Sequence, residues 1–187
     1  MSTLITLSNI NPNKGLYSQT NNSIIIDNTT LSGSLFGSGV GTLTVPANGF
    51  VVGDSFSLKM GGQLSCANNE DLQIKIITNL GIPMGLNYLA DTGIVNMPQC
   101  TNQQWLLNII FTIRQLGGAG TAEIVSAGSF SYIKDSSDAF EGVDFSLVQN
   151  TFFNTTSSNT LDVQGQWHTI NPANSIYSEI CVLEKIY

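Results

Sequence analysis

The sequence predicts an all-β protein, a two-sheet antiparallel jelly-roll sandwich of about 8 to 10 strands. Three observations lead to this fold class. Apolar and polar residues alternate with period two in short runs, Gly, Asn, Pro and Asp bound these runs, and no segment keeps a helical period. The runs follow one another at about 8 to 15 residue spacing, which is typical of β-sandwiches.

The first predicted strands are short runs at 23–26, 31–36 and 42–45, and the glycines between 37 and 41 are expected to form a β-turn. The next two runs, 54–66 and 72–78, each carry apolar residues on one face. Because a short Asn-rich turn separates these two runs, we expect them to form a hairpin, with a bend at Gly61-Gly62.

The strongest predicted strand covers 104–116, where every odd position from Trp105 to Ile113 is apolar. Its even face also carries Leu106 and Ile110, so we expect a second surface, such as another subunit, to cover that face. Further strands are predicted at 121–134, with a kink at Ala127-Gly128, and at 143–147, 161–167 and 176–184.

Two segments lack clear alternation. Residues 79–103 are expected to form an extended loop. Residues 1–29 are rich in Asn, Thr and Ser and are expected to be an N-terminal arm or attachment segment before a head domain at 30–187, with an ordinary first strand as the alternative.

Charge argues against several classes of partner. Thirteen acidic and six basic residues give a net charge of -7, and the basic residues are scattered, so neither nucleic acid nor an anionic membrane surface is an expected partner. The N-terminal residues show no signal-peptide pattern, and no apolar run is long enough to span a bilayer. We therefore expect synthesis in the cytoplasm.

No cofactor is predicted. Cys66, Cys100 and Cys181 are odd in number and far apart, which favours reduced thiols over a zinc site, with one intramolecular bridge as the alternative. Oxygen ligands for calcium are dense only between Asp135 and Asp144, a segment that a plain acidic loop explains equally well. The residues of this acidic cluster are Asp135, Asp138, Glu141 and Asp144.

The sequence does not predict an enzyme. His168 is the single histidine and would have to be the base of any triad, yet no Gly-x-Ser-x-Gly elbow accompanies it. Four aromatic residues are candidates for a subunit interface or for binding a ligand such as a sugar. They are Tyr88, Trp105, Trp167 and Tyr177, and core packing is the alternative, above all for the two tryptophans.

Two stretches, 41–62 and 161–176, carry a family resemblance together with the Trp105 strand and the terminal Cys181-Val-Leu-Glu-Lys. They resemble the trimeric jelly-roll head domains of viral fibre and surface proteins, which are related in architecture to the tumour necrosis factor fold. The resemblance implies a homotrimer, with one sheet near the three-fold axis and the distal loops free for a receptor.

We therefore predict a non-enzymatic virion structural protein, a fibre head or capsid decoration, that acts in host attachment or capsid reinforcement. Its expected partners are itself, other virion proteins through the N-terminal segment, and a host receptor or glycan. The alternatives are a capsid or penton jelly-roll subunit that exchanges its arm, and a carbohydrate-binding, lectin-like β-sandwich.

Overall fold

The computed structural model describes residues 14–78, 88–134, 139–150 and 153–187, and for residue 14 and residues 146–150 it describes the backbone alone. These residues form an all-β sandwich of two antiparallel sheets, so the predicted fold class is confirmed. No helix among them is long and apolar enough to cross a membrane.

The described residues contain fourteen strands, of which five have only two or three residues. Three of these five, β2, β3 and β5, overlap the runs predicted at 23–26, 31–36 and 42–45, whereas strands β1, β4, β8 and β9 were not predicted. The strands are β1 Lys14–Gln19, β2 Ile26–Asp27, β3 Gly33–Ser34, β4 Gly39–Gly41, β5 Thr44–Val45, β6 Ser55–Cys66, β7 Glu70–Thr78, β8 Tyr88–Asp91, β9 Val95–Met97, β10 Cys100–Gln115, β11 Glu123–Ile133, β12 Phe140–Asn150, β13 Asn159–Trp167 and β14 Ser175–Lys185.

The large sheet has eight strands in the order β12-β11-β10-β6-β14-β1-β4, with β2 paired to β14. The small sheet has six strands in the order β3-β13-β7-β8, with β5 paired to β13 and β9 paired to β7. The chain crosses from the large to the small sheet between β6 and β7, and it crosses back between β13 and β14. β6 pairs with β14 in the large sheet, and β7 pairs with β13 in the small sheet. The strand pair β6–β14 therefore continues across the core into the strand pair β7–β13, as in a jelly roll.

The predicted hairpin of 54–66 with 72–78 is therefore wrong. The strands exist nearly as expected, but β6 lies in the large sheet and β7 in the small one. Both strands bury one face, so their patterns suit either arrangement, and the turn at 67–69 carries the chain across the core instead of back along the same sheet.

The core fills the space between the sheets. Strand β7 buries every second residue from Glu70 to Thr78, and β10 does the same from Trp105 to Ile113. Alternation puts one face of each strand on the other sheet, as in an aligned sandwich. The largest fully buried side chains are Trp105, Trp167, Tyr132 and Phe130.

Glycines allow two close approaches within the large sheet. The β14 register shifts between Ser178 and Ile180, opposite the predicted bend at Gly61-Gly62, and a Cβ on Gly62 would lie 2.1 Å from the Tyr177 carbonyl oxygen. The β11 register to β12 shifts between Ser126 and Gly128, at the predicted kink. Both irregularities are β-bulges of the kind that bend a strand.

Two loop predictions need correction. Gly39–Gly41 form edge strand β4 and not a turn, and a Cβ on Gly39 would lie 2.3 Å from the Ser18 carbonyl oxygen of β1. Within the predicted loop 79–103, residues 79–87 lie outside the described residues, but β8, β9 and the start of β10 occupy most of the remainder.

Only residues 14–29 of the predicted N-terminal segment 1–29 lie within the described residues. Strand β1 lies between β14 and β4, and its Tyr17 side chain is buried in the core, with a T-shaped contact to Phe36. Residues 1–13 lie outside the described residues. The boundary at residue 30 stays a prediction.

Candidate functional site

The outer face of the large sheet carries an exposed apolar row across its three central strands. The backbone register places Leu106 of β10, Gly61 of β6 and Ile180 of β14 side by side. Because Gly61 has no side chain, both neighbours lean over it: a Cβ there would lie 3.0 Å from Leu106 Cδ2 and 3.5 Å from Ile180 Cγ2. Leu106 is 44% exposed and Ile180 is 58% exposed.

Ile110 extends this apolar surface along β10 and is 51% exposed. We call the surface around this row the outer face, and we define it by ten outward residues of the three central strands. Lys59 is the one charged residue among the ten, and Glu179 and Glu184 of β14 lie beside them, next to Gln63 and Ser57. The outer face consists of Leu106, Asn108 and Ile110 on β10, Ser57, Lys59, Gly61 and Gln63 on β6, and Tyr177, Ile180 and Val182 on β14.

Trp105 and Trp167, two of the four predicted aromatic candidates, are core residues. Both are fully buried, so neither offers a side chain to a partner, and the core alternative describes them. The indole Nε1 of Trp105 donates to the carbonyl oxygens of Gln63 at 3.2 Å and Tyr177 at 3.1 Å. The Nε1 of Trp167 has no hydrogen-bond partner among the described residues.

The two tyrosine candidates lie on different sheets. Tyr177 is half-buried on the outer face, where it pairs with Gln63 across β6 and β14. Tyr88 begins β8 at the edge of the small sheet, and Lys75 Nζ lies 5.9 Å from the centre of its ring. The structure therefore does not bring the four aromatic residues into one site.

His168 is exposed just after β13. Its Nε2 lies 3.2 Å from Gln73 Oε1, and its backbone N–H donates to the Asp71 carbonyl oxygen. Asp162 lies six residues earlier on the same extended strand, about 20 Å away. Asp162 is itself buried, which raises its pKa, and it accepts a 2.5 Å hydrogen bond from Ser34. These two residues are too far apart to act together as a base and its orienting carboxylate.

Two of the four residues of the acidic cluster lie within the described residues. Asp135 and Asp138 lie outside the described residues. Glu141 and Asp144 belong to strand β12, not to a loop, and the Glu141 carboxylate already has two partners: Lys134 Nζ at 2.6 Å and the Tyr132 hydroxyl at 2.9 Å. No group of three or more metal-binding side chains occurs within the described ranges. Calcium binding at 135–144 stays the alternative to a plain acidic loop.

A polar cluster that sequence reasoning missed surrounds Glu70 at the start of β7. Its buried carboxylate accepts hydrogen bonds from Thr169, from Asn171 Nδ2 at 2.6 Å and from Asn174 Nδ2 at 2.8 Å. The bonds from Thr169 and Asn174, followed by that from Asn171, lower the pKa of Glu70 against the opposing effect of burial. The cluster fixes the 168–174 connection, through which the chain returns to the large sheet.

An apolar cavity of about 80 Å³ lies between the sheets, away from this connection. Leu16, Phe50, Phe56, Phe111 and Leu183 are among its lining residues. Residue spacing alone gave no sign of this cavity, since its lining comes from many strands.

Comparisons with protein-family models, curated proteins and solved structures find no match to this chain. The outer face of the large sheet is therefore the candidate functional site on physical grounds alone. It can bury apolar surface against a partner, and we find no catalytic arrangement within it.

Proposed function

We propose that this chain is a non-enzymatic structural protein of a virion surface, a fibre head or capsid decoration, that acts as a homotrimer. The observation that carries the proposal is the apolar row Leu106, Gly61, Ile180 on the outer face. The viral context and the three-fold symmetry come from the sequence resemblance, and the proposed interface comes from the geometry.

The apolar row favours association because its exposure is costly in a monomer. Fully burying an aliphatic side chain of this size contributes about 1.5–3 kcal/mol, so burying the half-exposed Leu106, Ile110 and Ile180 contributes about 1 kcal/mol each per subunit. The surrounding Ser, Asn and Gln side chains can replace hydrogen bonds to water with hydrogen bonds to a partner at little cost in free energy.

Charge restricts where a second copy of this chain can bind. Copies with a net charge of -7 repel one another, so they can associate only where acidic residues are sparse. The ten defining residues include no acidic side chain, but Glu179, whose Oε1 accepts from Gln63 Nε2 at 3.2 Å, and Glu184, which pairs with Ser57, lie beside them on β14. Like-charged copies can therefore meet along the apolar row of Leu106, Gly61 and Ile180, with these carboxylates at its rim.

The test places a carboxylate in the apolar row. Ile180→Glu should reduce the trimer to monomers, because each copy would bury a charge at the interface. Ile94→Glu is the matched control: Ile94 is 60% exposed, close to the 58% of Ile180, but it lies between β8 and β9 of the small sheet. Sedimentation velocity gives the masses, and circular dichroism checks that both variants keep the fold. Equal masses for the two variants would contradict the proposed interface.

Surface recognition needs a separate assay. The attachment role predicts that the trimer binds intact host cells through its loops, and that Tyr88→Ala leaves glycan-array signals unchanged. A saturable glycan signal that Tyr88→Ala removes, with the oligomer intact, would instead support the lectin alternative.

A further inference from the structure

Cys66 and Cys100 face each other across the two longest strands of the sandwich. Cys66 ends β6 and Cys100 begins β10, and the antiparallel register pairs them directly. Both side chains are buried, and their Sγ atoms are 3.4 Å apart. The Cys66 thiol also lies 3.2 Å from the Pro98 carbonyl oxygen.

This geometry suits a disulfide. Directly opposed residues in an antiparallel pair have Cα atoms about 4.5 or 5.5 Å apart, and both values fall within the range that disulfides span. A bond of about 2.05 Å requires each sulfur to move by only about 0.7 Å, which side-chain rotation can provide.

The ladder between the two strands is also interrupted at this place. The register shifts between Cys100 and Gln103, and Asn102 adopts a positive φ of 51° there, with its N–H donating to Ser65 Oγ at 2.9 Å. A covalent link would hold the strands together where backbone pairing is lost. It would also close the long excursion through β7, β8 and β9.

We propose that Cys66 and Cys100 are a latent disulfide pair, which a small-molecule disulfide oxidises to a clamp between β6 and β10. One cysteine thiolate attacks a sulfur of the oxidant, which gives a mixed disulfide and releases one thiol. The second cysteine thiolate then attacks the protein sulfur of that mixed disulfide and releases the other thiol. The two protein protons end on the two released thiols, so two protein thiols are oxidised and one oxidant disulfide is reduced.

Cys181 supplies an internal control. It pairs with Met60, six residues before Cys66 on β6, so it lies about 20 Å from Cys66. Burial raises the pKa of the Cys181 thiol to about 12. Cys66 and Cys100 are buried too, so it is the distance of Cys181 from them that makes it the control.

The test counts thiols in the full chain. Purified protein is incubated folded with oxidised glutathione, and separately refolded in a mixture of oxidised and reduced glutathione. It is then denatured, alkylated and weighed by mass spectrometry. We expect one alkylated cysteine where reduced protein has three, and a cross-linked peptide that joins residues 66 and 100.

Three variants locate the bond. Cys181→Ser should still form the bridge and leave no alkylated cysteine, whereas Cys66→Ser and Cys100→Ala should each keep two. Any of three results would overturn the proposal. They are three alkylated thiols in the native chain after both treatments, a stable glutathione adduct without a bridge, and a bridge through Cys181.

The clamp should also raise thermal stability. A bond between Cys66 and Cys100 closes the loop between them and so lowers the conformational entropy of the unfolded chain. We therefore expect the Tm of the bridged chain to be about 10 °C higher than that of the reduced chain. Cys66→Ser should melt at the same temperature in both conditions. A bridged chain with an unchanged or lower Tm would refute the stabilising role. The proposal is independent of trimer formation, since both sulfurs belong to one subunit.

Discussion

The Glu70 carboxylate offers the sharpest test of how the jelly roll is held together. In Glu70→Gln one oxygen becomes an NH2 group, while the shape of the side chain is kept. The amide can retain the two bonds that now reach Oε2, from Thr169 and Asn174, only by turning its own NH2 toward the NH2 group of Asn171. The variant therefore loses one hydrogen bond and weakens two others from charged to neutral.

The magnitude follows from these three bonds. A hydrogen bond to a charged group contributes about 1.5–3 kcal/mol and a neutral one about 0.5–1.5 kcal/mol. Losing one bond and weakening two gives a predicted decrease of about 5 kcal/mol in the free energy of unfolding. For a chain of this size the decrease corresponds to a Tm about 10–20 °C lower.

The assay is equilibrium unfolding in urea, followed by the fluorescence of the two buried tryptophans. The wild type and the variants are compared at the same protein concentration, because association shifts apparent stability. Asp71→Asn is the matched control: the Asp71 carboxylate accepts a 2.9 Å bond from Asn96 at the surface, so its loss should change stability by about 0.5 kcal/mol or less.

Acid provides a second readout of the same cluster. The folded-state pKa of Glu70 is lowered, so its contribution is present above the unfolded value of about 4.3 and is lost as pH falls through the folded pKa. The stability gap between the wild type and Glu70→Gln should therefore be full at pH 7 and shrink below about pH 4. A gap no larger than that of Asp71→Asn, or one that stays constant from pH 7 to pH 3, would refute this reasoning.

Two further predictions compare matched pairs of substitutions. Trp105→Phe should cost about 1 kcal/mol more than Trp167→Phe in urea unfolding, because the Trp105 indole loses a bifurcated hydrogen bond, whereas the Trp167 indole has no partner among the described residues; equal losses would contradict the bonding described for the two indoles. Gly128→Ala should lower the free energy of unfolding by about 1–3 kcal/mol, since its Cβ would lie 2.2 Å from the Asn108 carbonyl oxygen, whereas a Cβ on Gly118 meets no described atom within 4 Å. A Gly128→Ala protein as stable as Gly118→Ala would show that the β10–β11 spacing is wider than described.

The long strands could be predicted from the sequence because alternation is a local property. Leu106 and Ile110 are an example: their apolar character on the even face of β10 indicated a covered surface, and the structure leaves both half exposed. Strand partners are not a local property. The pattern of 54–66 and 72–78 fits a hairpin and a crossover equally well, and only the registers with β14 and β13 decide between them.

The polar cluster and the thiol pair could not be found for a related reason. Glu70 meets Thr169, Asn171 and Asn174 across about a hundred residues of chain, and an acidic residue at a strand start gives no sign of distant donors. The Asn-rich connection near residue 171 was the one indication in the sequence of this cluster, because Asn side chains often donate hydrogen bonds to backbone or carboxylate groups. The cysteines gave the alternative of one bridge, but the pairing of Cys66 with Cys100 depends on the β6–β10 register.

The central claim is that the outer face joins copies of this chain into a trimer. Light scattering behind a sizing column measures it most directly, on the unmodified chain and over a wide range of concentrations. The account predicts a stable species of three times the 20.0 kDa chain mass. A strict 20.0 kDa monomer at every concentration would contradict it and would leave the apolar row of Leu106 and Ile180 to a different partner.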